Sequence, residues 1–142
     1  MSADSIKLHY DIPENDLSIA GEASSRVKKM LNQLGISPAA VKKATVAMYE
    51  AEMNAVIHAF GGTADIEITP ENILIVISDR GPGIPDIKLA MQEGYSTAPD
   101  HIREMGFGAG MGLPNMKKYA DGLDIKSEVG KGTIVVINVK IK

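Results

Sequence analysis

Ile73-Leu74-Ile75-Val76-Ile77-Ser78-Asp79-Arg80-Gly81-Pro82-Gly83-Ile84-Pro85 is where the longest apolar run of the chain stops and its glycine-rich half begins. The run from Ile73 to Ile77 has no polar interruption, which predicts a central strand covered on both faces. A carboxylate, Asp79, follows at its end. Gly81 and Gly83 permit backbone conformations and close approaches that a side chain forbids, so a flat ligand could lie against the main chain with Asp79 as its acceptor. An ordinary strand-to-turn exit has the same composition, because Asp, Gly and Pro are all turn residues. The rest of the chain has to decide between them.

The 142 residues, 44% hydrophobic and 23% charged, fit one soluble globular domain spanning 1–142 and large enough to bury a core. The first seven residues lack the apolar stretch of a signal peptide, and no run approaches the roughly 18 residues of a membrane span. A cytoplasmic protein without a membrane partner is expected. The absence of cysteine excludes disulfides and thiolate metal sites. A net charge of -3 with 4% aromatic residues supplies neither a phosphate-binding field nor a stacking platform, which argues against nucleic acid as a partner.

Ile6, Leu8, Tyr10 and Ile12 alternate with Lys7, His9 and Asp11, the pattern of a strand with one buried face. Ala20, Ala23, Val27, Met30, Leu31 and Leu34 are spaced for an amphipathic helix over residues 17–34, with Gly35 as its stop. Ser37-Pro38 is a start signal for a second helix, over 38–60, closed by Gly61-Gly62. Its core stripe is Val41, Ala44, Met48, Ala51 and Ala55; Glu50 and Asn54 fall one turn apart on another face. Strands are expected over 64–69 and 72–78, joined at Pro70-Glu71, and over 123–128 and 133–141 around Gly130-Lys131-Gly132. Between them, residues 82–112 read as a long, partly mobile loop with one short helix near 87–91, followed by a helix from Pro114 to Tyr119.

Ten of the fourteen glycines lie between Gly81 and Gly132. That concentration after a buried strand suggests nucleotide binding, since exposed backbone N–H groups and helix N-termini bind anions. Two templates fail. Gly106-Phe107-Gly108-Ala109-Gly110-Met111 places Met111 where a dinucleotide fingerprint needs its third glycine, and the βαβ setting is missing. Gly130-Lys131-Gly132 lacks both the upstream glycine and the hydroxyl residue of a P-loop.

A third template fits in four places and in order. Glu50-Ala51-Glu52-Met53-Asn54, Asp79-Arg80-Gly81-Pro82-Gly83, Gly106 through Leu113, and Gly130-Lys131-Gly132-Thr133 resemble the N, G1, G2 and G3 boxes of the GHKL (histidine kinase-like) ATPases. Within that superfamily the chain is similar to the small anti-sigma factor and serine-protein kinase family over essentially its whole length. The segment from Glu50 to His58-Ala59-Phe60 is closer to the anti-sigma kinases, and Gly106 through Pro114 to the stressosome-type switch kinases.

The resemblance implies an α/β fold of the Bergerat type: a two-layer sandwich whose mixed, mainly antiparallel sheet carries helices on one face, with ATP between the long helix and a glycine-rich lid. It implies Glu50 as the catalytic base and Asn54 as the Mg²⁺ ligand, a hard oxygen donor of the kind this ion prefers beside phosphates and waters. Asp79 would accept from the adenine amino group; guanine would set a carbonyl against it, leaving two acceptors face to face. Thr133 completes adenine recognition, Gly81 and Gly83 admit the ring, and Ile84 offers it an apolar wall. Gly106, Gly108, Gly110, Met111, Gly112 and Leu113 belong to the phosphate loop, backed by the helix that follows. Arg103 either reaches a terminal phosphate or is simply exposed. Blander readings stand beside these: Glu50 as a solvated residue like its neighbour Glu52, His58 as a packed or capping histidine, Lys117 and Lys118 as a solvated face, Met48 and Met53 as core filling.

The implied activity is ATP-dependent phosphorylation of a serine or threonine on a small STAS-domain antagonist, alternating with binding of a sigma factor or other effector. A nucleotide-gated module that sequesters its partner without turnover is the alternative, and a plain ATPase a weaker one. By analogy with relatives the chain would form a homodimer, with the first strand as a candidate surface.

Overall fold

The computed structural model describes residues 5–12, 21–58, 61–79, 112–128 and 130–141. In chain order these form β1 (Ile6–Ile12), α1 (Glu22–Gln33), α2 (Pro38–His58), β2 (Gly62–Ile68), β3 (Asn72–Asp79), α3 (Gly112–Tyr119), β4 (Gly122–Glu128) and β5 (Gly132–Lys140). The expected loop with its short helix near 87–91, and the first turn of the expected helix over 17–34, lie outside the described residues.

Local chemistry sets the helix ends. Ser37 caps α2, its Oγ accepting the Ala40 N–H at 3.3 Å, and Pro38 takes the first helical position, where no N–H is needed. Gly35 closes α1 with φ of 75°, a left-handed conformation, while the Ile36 N–H returns to the Leu31 carbonyl at 3.1 Å. Val27 and Leu31 are fully buried one turn apart, and Arg26 meets Glu22 on the exposed face at 2.6 Å.

The five strands lie in the order β1-β2-β3-β5-β4. Every described pairing is antiparallel, in keeping with the expected α/β fold and its mainly antiparallel sheet. The short turn between β2 and β3 is held by Thr69, whose N–H donates to the Asn72 carbonyl at 2.9 Å and whose Oγ1 accepts the Asn72 N–H at 3.1 Å.

One face of this sheet forms the core. Ala64, Ile66 and Ile68 of β2, Ile73, Ile75 and Ile77 of β3, and Val135, Ile137 and Val139 of β5 are buried against the helices, with α2 packed over β3 and β5. Alanines at positions 40, 44, 47, 51 and 55 of α2 let the backbones approach closely, and Met48, Met53 and Met116 fill the remaining space as core residues. The opposite face is not covered by any described element. Leu74, Val76 and Val136 are only half-buried there and Ile134 is 43% exposed. The uninterrupted run from Ile73 to Ile77 therefore marks a central strand buried on one face, not on both as the sequence suggested. Edge strand β1 turns Lys7, His9 and Asp11 to solvent, with His9 Nδ1 2.6 Å from Asp65 of β2.

Glu52 departs most from expectation. Read in the sequence as a solvated helix residue, it is 1% exposed, and its carboxylate accepts the N–H groups of Gly21 at 3.0 Å, Ala23 at 3.2 Å and Ser24 at 3.0 Å. Gly21 provides no side-chain cap for α1, so a carboxylate from the neighbouring helix satisfies the orphan donors of that helix start and complements its positive dipole end.

Candidate functional site

The alternation of β3 places Asp79 on the same face as Ile73, Ile75 and Ile77, the face that α2 covers. Asp79 is the last residue of that strand, half-buried, and its Oδ1 accepts the Thr133 N–H from β5 at 3.0 Å. Thr133 is 5% exposed, and its hydroxyl lies 2.9 Å from the hydroxyl of Ser127 on β4. Ser127 also donates to the Gly132 carbonyl at 3.3 Å. Three strands thus converge on one polar corner. Sequence reasoning named Asp79 and Thr133 but missed Ser127, which only the β4–β5 register brings opposite Thr133.

Gly62 pairs with Asp79 across β2 and β3. A Cβ at position 62 would stand 1.9 Å from the Ser78 carbonyl oxygen and 2.9 Å from the Asp79 Cα. Only glycine fits there. The sequence reading used Gly61-Gly62 to end the long helix; the structure adds that the second glycine lets β2 lie against the strand end that carries Asp79. A cavity of about 390 Å³ opens beside it, lined by Asp11, Ile12, Gly62, Thr63, Ser78 and Asp79.

Helix α2 ends at His58, and four residues later the chain enters β2 at Gly62, opposite Asp79. The last two and a half turns of α2, residues 50–58, therefore lie toward the Asp79 end of the sheet. Glu50 and Asn54 occupy those turns, both half-buried and one turn apart. Burial pushes the Glu50 carboxyl above its usual value, and a hydrogen bond from the Asn115 side chain of α3 pulls part of the way back. Asn115 did not figure in the sequence reading, where this helix offered only Met116 and Tyr119 for packing. The Tyr49 phenol is pushed up by its own burial and then by the charges of Glu50 and Glu52.

Among the described residues no group of three His, Cys, Asp or Glu is placed to hold a metal ion. Asn54 offers a single neutral oxygen, a donor that suits a cation sharing its remaining positions with phosphate oxygens and water. Lys117 and Lys118 are exposed as expected. Gly112 and Leu113 open α3. Gly81, Gly83, Ile84, Arg103, Gly106, Gly108, Gly110 and Met111 lie outside the described residues, as does the side chain of His58. Among the described residues no helix is long and apolar enough to cross a membrane.

Comparison with known proteins shows the family of the chain. A family profile described as histidine kinase-, DNA gyrase B-, and HSP90-like ATPase matches residues 39–142. An anti-sigma F factor of Clostridium novyi is 30% identical over 148 residues, covering 100% of this chain and 98% of its own. The serine/threonine-protein kinase RsbT of Bacillus subtilis is 32% identical over 124 residues, 84% of this chain and 85% of its own. Among solved structures, one containing the RsbU and RsbW domains of a Mycobacterium tuberculosis protein gives a TM-score of 0.64 at 16% identity, covering 94% of this chain and 32% of that one. The mycobacterial sensor histidine kinase MprB gives 0.53 at 18% identity, covering 95% and 97%. These two show the fold alone. The profile match over most of the chain, the two sequence relatives and the α/β fold agree: the chain belongs to the histidine kinase-, DNA gyrase B- and HSP90-like ATPases, in their anti-sigma factor and serine-protein kinase family, and this membership implies ATP binding.

Proposed function

We propose that the chain is an ATP-dependent protein serine/threonine kinase that works as a partner-switching regulator in the cytoplasm. The observation that carries this reading is the pair Glu50 and Asn54, one turn apart on the helix whose end meets the Asp79 strand, within a chain of this ATPase family. In this reading Asp79 accepts from the adenine amino group while the Thr133 N–H fixes the carboxylate, with Gly81, Gly83 and Ile84 against the ring. Gly106, Gly108, Gly110, Met111, Gly112 and Leu113 surround the phosphates, and Arg103 reaches the terminal one. Asn54 holds Mg²⁺, which neutralises phosphate charge when bound. Glu50 takes the proton of the acceptor hydroxyl as its oxygen bonds to the γ-phosphorus; the bond to the β,γ-bridging oxygen breaks and ADP leaves.

The names of the relatives, anti-sigma F factor and serine/threonine-protein kinase, support a STAS-domain antagonist as phospho-acceptor and a sigma factor or other effector as the second partner. A homodimer through β1 belongs to the same reading. The relatives named as anti-sigma factors also favour a second one, a nucleotide-gated module that sequesters its partner without turnover. Affinity capture from native extract with and without ATP, followed by phosphosite mapping on the captured proteins, separates the two. The kinase reading expects a small protein that acquires phosphate on serine or threonine only with ATP. Nucleotide-dependent capture with no phosphorylation hands the chain to the sequestering reading.

A further inference from the structure

The helix-facing side of the sheet ends in one row that crosses all five strands. Ile12 of β1 lies opposite Gly62 of β2, Gly62 opposite Asp79 of β3, and Thr133 of β5 opposite Ser127 of β4. The Thr133 N–H, donating to Asp79 Oδ1 at 3.0 Å, joins the two halves of the row. Thr133 follows the alternation of Val135, Ile137 and Val139, and Ser127 that of Leu123 and Ile125, so both hydroxyl residues belong to the same face as Asp79. Thr133 is 5% exposed and Ser127 half-buried, with 2.9 Å between their hydroxyl oxygens. Such a pair has a definite direction once either proton is committed elsewhere.

The Ser127 proton is committed. A carbonyl only accepts, so the 3.3 Å bond from Ser127 Oγ to the Gly132 carbonyl uses the one proton that a serine hydroxyl owns. Between the two hydroxyls Thr133 is then the donor, and the chain of bonds runs from Thr133 to Ser127 to the Gly132 carbonyl. Gly132 has φ of 129°, a conformation that residues with a side chain rarely adopt, so the turn that brings its carbonyl to Ser127 depends on glycine. With its proton turned toward β4, the Thr133 oxygen offers only lone pairs to a ligand beside Asp79.

We propose that Ser127 is a positioning residue that sets base specificity through Thr133: it holds the Thr133 proton, makes that hydroxyl an acceptor beside the Asp79 carboxylate, and so selects a purine with an amino group at C6 over one with a carbonyl there. The inference rests on the reading of Asp79 as the adenine acceptor. An amino group brings hydrogens to an acceptor pair, whereas a 6-oxo group sets a further acceptor against it and leaves desolvated lone pairs opposed. A Thr133 hydroxyl free to rotate would relieve that conflict by donating to the oxo group. Ser127 removes this relief, acting through Thr133 and not on the base.

The test is calorimetric titration of the full chain with Mg·ATP and with Mg·ITP, the inosine nucleotide that carries a 6-oxo group, for wild type and for variants at positions 127 and 133. The proposal expects Ser127→Ala to narrow the preference for ATP over ITP roughly ten-fold, mostly through tighter ITP binding, the yield of about one recovered hydrogen bond. Ser127→Cys, of similar size but a weak donor and acceptor, should narrow it in the same direction, and Ser127→Thr, which keeps the hydroxyl, should hold it within about two-fold of wild type. In a Thr133→Val chain, which keeps the shape without the hydroxyl, adding Ser127→Ala should change the preference by less than about two-fold, because the group it acts through is gone. Wild-type preference in the Ala or Cys variant, or a Ser127→Ala effect that survives in the Thr133→Val chain, overturns the proposal and leaves the Asp79 reading in place. Affinity lost in equal proportion for both nucleotides would make Ser127 a support of the fold alone and overturns it too. A wild-type chain that binds ATP and ITP equally overturns the Asp79 reading and the proposal with it.

Discussion

Glu52 Oε1 accepts the backbone N–H of Ser24 at 3.0 Å, joining the middle of α2 to the first turn of α1. The other carboxylate oxygen takes the N–H groups of Gly21 and Ala23. Truncation at Glu52 would leave three donors without their acceptor in a largely buried place, so Glu52→Ala should cost about 3 kcal/mol or more of unfolding free energy. Glu52→Gln, which keeps one acceptor oxygen, should cost less. Urea denaturation measures both, and an Ala variant within about 0.5 kcal/mol of wild type would contradict the capping role.

Gly62→Ala should disturb the site through the backbone. Its Cβ would collide with the Ser78 carbonyl and crowd the Asp79 Cα, so the strand pair must shift. A loss of about 1–3 kcal/mol is expected, as for other overpacked positions. Weaker nucleotide binding should accompany it, because Asp79 moves with its strand. Calorimetric titration with ATP beside thermal unfolding reads both effects; wild-type values for each would show that the crowding is absorbed elsewhere.

Much of this was legible in the sequence and some of it was not, for a consistent reason. The strands from Ile6 and Asn72, the Ser37-Pro38 start of α2 and the Gly35 stop of α1 are encoded within a few residues of where they act, and each is found within one or two residues of expectation. Glu52 was misread because its three partners stand 28 to 31 positions away, on a helix whose packing no local pattern reports. Asn115 and Ser127 escaped for the same reason: each matters only through a neighbour that another element supplies. The run from Ile73 to Ile77 misled in another way, since apolar residues on both faces of a strand do not guarantee that both faces are covered. Asp79 was marked out by its position at the end of that run, whereas its bond to the Thr133 N–H depends on β5 lying beside β3.

The Glu50 carboxyl is held above its usual value by burial, so in the window between the unfolded and folded values the folded chain binds more protons than the unfolded one. Its contribution to stability is therefore present below the unfolded value and lost as pH rises through the folded one. Glu50→Gln, which has no charge to desolvate, should gain stability relative to wild type as pH rises from 4 to 8. Thermal unfolding across that range checks the sign, and a variant that loses ground with rising pH would contradict it.

Asp79 sets the expected base preference. ATP with Mg²⁺ at about 100 times its dissociation constant should add roughly 2.7 kcal/mol of stability, visible as a rise in Tm. GTP should give much less, and Asp79→Asn should remove most of the ATP effect. An equal response to the two nucleotides would contradict the adenine assignment.

The central claim, phosphoryl transfer with Glu50 as its base, is tested most directly by following label from γ-labelled ATP onto the captured antagonist with wild-type and Glu50→Gln chains side by side. A base matters to chemistry and little to binding, so the variant should bind Mg·ATP nearly as wild type does while transferring label roughly 10²–10⁴-fold more slowly. Transfer by Glu50→Gln at the wild-type rate would contradict the account.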